Sequence, residues 1–226
     1  MVSYSSSLHL LASHLWLGAI AAILFTAGAG TAAPVVRSDV RWLMAVPLWV
    51  VRQVLRVIGP AFPPIRVFTL IFTFNSVAIF LYMVSGVLIV LPAAIAFLTG
   101  LNIGVVVLKA GEIELPSGER PLAATLSPRD DRPVAPWVSL CSLAVLVLEL
   151  PSFWISLGMG IGLGRALSQP GHYTLSDLAA LVGERAWAYL TIVVPVLFLS
   201  ALAETAAIRG QVNAGPRERR KPPEDE

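Results

Sequence analysis

Charge is what this chain has least of. Asp, Glu, Lys and Arg make up only 13% of its 226 residues, against about 25% in soluble domains. With 56% hydrophobic residues and a mean hydropathy of +0.77, the composition is that of an integral membrane protein. A single cysteine, Cys141, excludes an intramolecular disulfide framework and a four-cysteine zinc site. The net charge of +2 leaves no electrostatic footprint for nucleic acid. The chain has no phosphate-binding glycine loop, no nucleophile elbow and no His-Glu metalloprotease motif. Nothing therefore points to an enzyme or a cofactor. The three histidines, His9, His14 and His172, do not have the spacing of a metal site. Met1 to Val36 carries no charged residue, so the positive n-region of a secretory signal is missing. Leu8–Ala33 therefore reads as a retained span, although "AGAGTAAP" resembles a cleavage site in its small residues.

What is present is a series of long apolar runs. A helix needs about 20 apolar residues to cross a bilayer. Residues 8–33 form the first run. Val67–Leu108 is 42 residues without a charge, too long for one span, and "VSGVLIVLP", Val84–Pro92, supplies a turn. That gives spans at 67–84 and 87–108. Residues 137–164 contain only Glu149, and residues 186–208 only Glu204. The expected fold is all-α, a polytopic bundle of five transmembrane helices forming a single membrane domain over residues 1–208. Residues 41–58 carry Arg52 and Arg56 on one face beside Trp42 and Trp49, the pattern of an interfacial amphipathic helix. A sixth span is the alternative there, with arginines that are costly at depth. Lys109–Pro136 alternates charge with Pro and Gly and reads as an aqueous loop with a hairpin near "PSGE". Thr174 and Asp177 have capping-box spacing, which predicts a short surface helix over 174–184. The charged, Pro-rich tail, 209–226, is expected to be disordered.

Fourteen of the sixteen basic residues then fall on one side, in the segments after the first, third and fifth spans, leaving only Arg165 and Arg185 opposite. The positive-inside rule places the N-terminus outside and the C-terminus in the cytoplasm.

Two features inside the apolar runs need a physical reason. The first is glycine. Gly158, Gly160, Gly162 and Gly164 form two overlapping GxxxG pairs about 200° apart on a helix, and Gly100 and Gly104 repeat the spacing. Such glycines let helix backbones approach closely. They predict either tight packing within the chain or a homo-oligomer seam. The second is carboxylate. A Glu in a membrane span is expensive and usually faces the bundle interior with a partner. Pro151 lacks a backbone donor and frees a carbonyl in the turn before it, near Glu149. Glu149 and Glu204 could form a proton or cation site. Alternatively they make structural hydrogen bonds to Asn75, Asn102 or the freed carbonyl.

"LVLELPSFWISLGMGIGLGRAL", with a Glu before a glycine-rich helix, resembles the signature of the stage II sporulation protein M family of membrane proteins. "VVPVLFLSALAETAAI" corresponds to that family's second Glu motif, "TGLNIG" to its "NGlxlG" pattern, and "FTFNSVAIF" keeps one of its paired Asn residues, Asn75. The likeness covers roughly residues 68–208. The family's His-Gly before the first Glu is Val145-Leu146 here, and the first Asn of "NG" is Thr99. The resemblance implies a polytopic scaffold in a prokaryotic plasma membrane, centred on Glu149 and Glu204, whose partners are the lipid bilayer and other membrane or envelope proteins. In endospore formers it is similar to a protein that localises cell-wall hydrolases during engulfment. The competing expectation is a proton- or cation-coupled transporter, or a permease-like subunit served by a separate ATPase.

Overall fold

The computed structural model describes residues 4–59, 62–113, 136–170 and 173–214. Among these the chain is 92% helix without a strand. Seven α-helices follow in order: α1 (Tyr4–Arg37), α2 (Arg41–Ile58), α3 (Pro64–Val84), α4 (Leu91–Lys109), α5 (Pro136–Leu167), α6 (Leu175–Ala188) and α7 (Val194–Ala214). Five segments are long and apolar enough to cross a membrane: Tyr4–Arg37, Pro64–Leu88, Leu91–Lys109, Pro136–Leu167 and Leu175–Gly210. All five expected spans thus appear as helices. α2 is not among them, although it forms as a helix, with Trp42 and Trp49 exposed. Met44 and Leu55 are buried against the rest of the chain, while Arg52 and Arg56 are exposed on the opposite face.

The local chemistry explains the boundaries. α3 begins with Pro64 and α4 has Pro92 in its first turn, positions where a missing N–H is harmless. Between them the 3-10 turn Ser85–Leu88 reverses the chain at the expected place. Ile89 closes that turn in the left-handed region, at φ 50°, which a β-branched residue rarely adopts.

Two expectations change at the C-terminal end. The helix at 174–184 is not separate: α6 runs to Ala188 and joins α7 through a π-helical turn, Tyr189–Val193. Pro195 explains the widened turn, because it cannot donate to the carbonyl four residues earlier and the ladder loosens before it. The tail also begins later than expected, since α7 continues through residues 209–214; residues 215–226 and most of the 109–136 loop, including "PSGE", lie outside the described residues. The capping box is present as expected: the Asp177 N–H donates to Thr174 Oγ1 at 3.2 Å, and the Thr174 N–H donates to Asp177 Oδ2 at 2.9 Å.

Glycine sets the helix packing. A Cβ on Gly100 would run into the Phe25 carbonyl, and one on Gly28 into the Phe97 carbonyl, so α1 and α4 touch backbone to backbone. Gly104 adds contacts with Ala29 and Ala32. The order of these pairs along both helices makes α1 and α4 parallel. On α5 the two glycine pairs face different neighbours. Gly158 and Gly162 abut Gly18 and His14 of α1, while Gly160 and Gly164 abut Tyr82, Met83 and the Gly86–Ile89 turn after α3. α5 is antiparallel to α1, and parallel to α3. Both stripes are therefore filled by the chain's own helices. The main core lies where α1, α3, α5 and the Tyr189–Leu197 stretch meet, around Met83, Phe153, Leu157 and Leu197.

Candidate functional site

α3, α5 and α7 meet along one seam, and the two intramembrane-type carboxylates come from two of its walls. Glu149 lies 13 residues into α5, about 20 Å along a helix that rises 1.5 Å per residue. It is partly buried and accepts a hydrogen bond from Asn75 Nδ2 of α3 at 3.1 Å. Of the two asparagines offered by the sequence as partners, Asn75 is the one that bonds Glu149 among the described residues. Asn102 is not part of this bond. It lies on α4, the helix locked against α1, and makes no hydrogen bond to either Glu among the described residues.

Glu204 of α7 is also partly buried and lies close enough to interact electrostatically with Glu149. The register of the two helices shows how. Gly210 packs on Trp137 and Val138, and Arg185 donates to the Met159 carbonyl, so α5 and α7 are antiparallel. In that register Glu204 falls about two turns, or about 10 Å of helix rise, from Glu149, toward the start of α5.

The seam also contains hydroxyl groups. Helix serines and threonines normally return a hydrogen bond to a carbonyl three or four residues back. Ser152 does so to the Leu148 carbonyl at 2.7 Å, and Thr205 to the Ala201 carbonyl at 2.7 Å. The carbonyl that Pro151 frees is that of Val147, four residues back, so the Ser152 bond does not use it. Ser76, Ser156 and Ser200 differ, since each has a buried Oγ without a hydrogen-bond partner among the described residues. Ser156 and Ser200 retain 0% and 1% of their exposure. The Tyr189 hydroxyl at the π turn donates to the Ser76 carbonyl. An aromatic cluster flanks the seam, with the Phe198 ring edge-on to Phe68 and Phe72 at 5.3 and 5.6 Å between centroids.

Arg185 is the buried charged residue that sequence reasoning missed. It reads as a loop-side basic residue, yet it retains only 5% of its exposure. Its Nε donates to the Met159 carbonyl at 3.3 Å and its Nη1 to the Leu181 carbonyl at 2.9 Å. The one available signal was its position a single residue before an apolar run. Arg165 is held differently, with its guanidinium 5.5 Å from the Trp16 ring centroid, a cation–π contact. His14 bonds the Leu10 carbonyl through Nδ1 at 2.8 Å and packs on Gly162. No group of three or more metal-ligating side chains occurs among the described residues.

No protein-family model, no curated protein and no solved structure matches this chain.

Proposed function

We propose that this is a five-span integral protein of a prokaryotic plasma membrane, with its N-terminus outside and its C-terminus in the cytoplasm. We further propose that it works as a scaffold or structural subunit of a membrane complex, in the manner implied by its resemblance to the stage II sporulation protein M family. The observation that carries this reading is the glycine-mediated contact of α1 with α4 and α5. It makes a stiff body whose exterior keeps large apolar side chains such as Ile23, Val107, Leu140 and Val147 exposed. Lipid would cover such a surface, and a rigid frame suits a subunit that holds others in place. The orientation rests on the sequence, in which fourteen of the sixteen basic residues follow the first, third and fifth spans.

Two experiments test it. Cysteines replacing Ser117 and Ser168, after Cys141→Ser, should respond oppositely to an impermeant thiol reagent in intact cells, with only Ser168→Cys labelled. Gentle solubilisation of native membranes should yield a defined complex with fixed stoichiometry. A chain that purifies alone and moves ions or solute in vesicles would replace the scaffold by a second reading, a proton- or cation-coupled transporter or permease-like subunit. The unpartnered hydroxyls beside Glu149 and Glu204 favour that second reading.

A further inference from the structure

The hydroxyls of Ser200 and Ser156 are not scattered. Ser200 precedes Glu204 by four residues and so shares its face of α7. Ser156 follows Glu149 by seven residues, about two turns, and shares its face of α5. In the antiparallel register Ser200 falls between the two carboxyl groups, and Ser156 falls level with Tyr189. Ser76 adjoins Asn75 on α3. The order along the seam is therefore Glu204, Ser200, Glu149 with Asn75, then Ser76 with Ser156, and Arg185 at the far end.

A buried hydroxyl left without a partner is costly, and this seam holds three of them among the described residues. Water relieves this where a site is polar and offers two to four partners. We infer that the α3/α5/α7 seam holds water and forms a proton-exchange track joining Glu149 and Glu204 to the aqueous side where α5 begins and α7 ends. This inference rests on the five-span membrane reading and deepens the second of the two functions. In each transfer a carboxyl O–H bond breaks as an O–H bond forms on the adjoining water, which passes another proton to the next acceptor. Protons and charge balance and nothing is oxidised.

The ligand is a proton rather than a metal cation because the carboxyl groups sit at different depths with hydroxyls between them, whereas a cation needs its oxygen ligands gathered around one point. The charged or titratable groups facing Glu149 are few. α7 contributes Glu204, and the π turn contributes Tyr189, whose hydroxyl is committed to the Ser76 carbonyl. α6 contributes Arg185 at the far end, committed to two backbone carbonyls. α3 contributes Asn75, which is neutral.

Infrared difference spectroscopy of the protein in vesicles, with insertion verified by the cysteine labelling above, tests this directly. Acidification should produce a protonated-carboxyl band that Glu149→Gln removes. Exchange into D2O should shift the band within the mixing time. Ser200→Ala should slow that shift by roughly 100-fold, the scale of losing a positioned proton-transfer group. Ser142→Ala, whose hydroxyl is bonded to the Val138 carbonyl of its own helix, should leave it unchanged. Thermal stability gives a second readout should Glu149→Gln fail to fold. If the seam is dry, removing the unpartnered Ser200 hydroxyl relieves a penalty and raises the melting temperature. If it holds water, the temperature stays level or falls. A correctly inserted wild type with no protonated band, with a band that resists D2O, or with a stabilising Ser200→Ala overturns the track and leaves the scaffold reading standing. Labelling of Ser117→Cys in place of Ser168→Cys reverses the orientation, and equal labelling of the two removes the five-span reading itself.

Discussion

Replacing Gly100 by alanine adds one methyl group, and the surroundings determine what it does. In a helix interior Gly→Ala is worth about 0.5–1 kcal/mol of stabilisation, through lost chain entropy in the unfolded state. That gain should appear undiluted at Gly30, where an added Cβ meets nothing within 4 Å. At Gly100 the same methyl group meets the carbonyl of Phe25, well inside contact distance, and comes to 3.0 Å from the Ala29 nitrogen. These are backbone atoms of α1, so no side chain can rotate aside and the whole helix must move. Overpacking costs about 1–3 kcal/mol, and a clash with backbone belongs at the upper end. Gly30→Ala and Gly100→Ala should therefore differ by about 3 kcal/mol. On the scaling of soluble domains of this size, that separates their melting temperatures by about 6–12 °C. Thermal unfolding of both variants in the same mild detergent is the assay. Gly100→Ala melting at or above Gly30→Ala would falsify the close approach of α1 and α4.

Three further outcomes follow from the same contacts. Glu149→Ala leaves Asn75 unpaired and should destabilise by about 1–3 kcal/mol, whereas Glu149→Gln keeps an acceptor for Asn75 Nδ2 and should retain most of the wild-type melting temperature; equal losses for the two would mean that the bond to Asn75 contributes nothing. Thr174→Ala removes the hydroxyl of the capping box and should cost about 1 kcal/mol, with Thr174→Ser restoring it, as read by unfolding in detergent. Gly162→Leu should disturb the α1 contact at His14 far more than Leu157→Ile disturbs the core, and equal expression and melting of the two variants would place the Gly162 face against lipid instead.

Asn75 was readable in advance as one of a few candidate partners for Glu149, because few polar side chains occur in the apolar runs. Asn102 was an equal candidate on that ground. It drops out because α4 is locked against α1 by Gly28, Gly100 and Gly104, a fact of helix neighbours that no spacing along α4 contains. The two glycine pairs on α5 were legible as two faces, since the angle between them follows from helix geometry alone. Which helix fills each face was not, so an oligomer seam and internal packing looked alike until the α1 and α3 contacts were in place. Arg185 was illegible for a related reason. Its burial depends on α5 presenting the Met159 carbonyl beside it, and a charge next to an apolar run ordinarily marks an exposed end.

Apolar run length and charge placement by themselves determined that the chain is helical, how many long apolar helices it has, and where the turn after α3 and the capped start of α6 fall. Those are local properties, set by hydrogen bonding within a helix and by residues a few positions apart. The tertiary structure alone decided that α6 and α7 are one helical path bent by a π turn, and that Glu149, Glu204 and the hydroxyls of Ser76, Ser156 and Ser200, unpartnered among the described residues, share one seam. It also decided that both glycine stripes are used up inside the chain. Each of these depends on which helices are neighbours and in what register, and residues far apart in sequence meet only once the helices have packed.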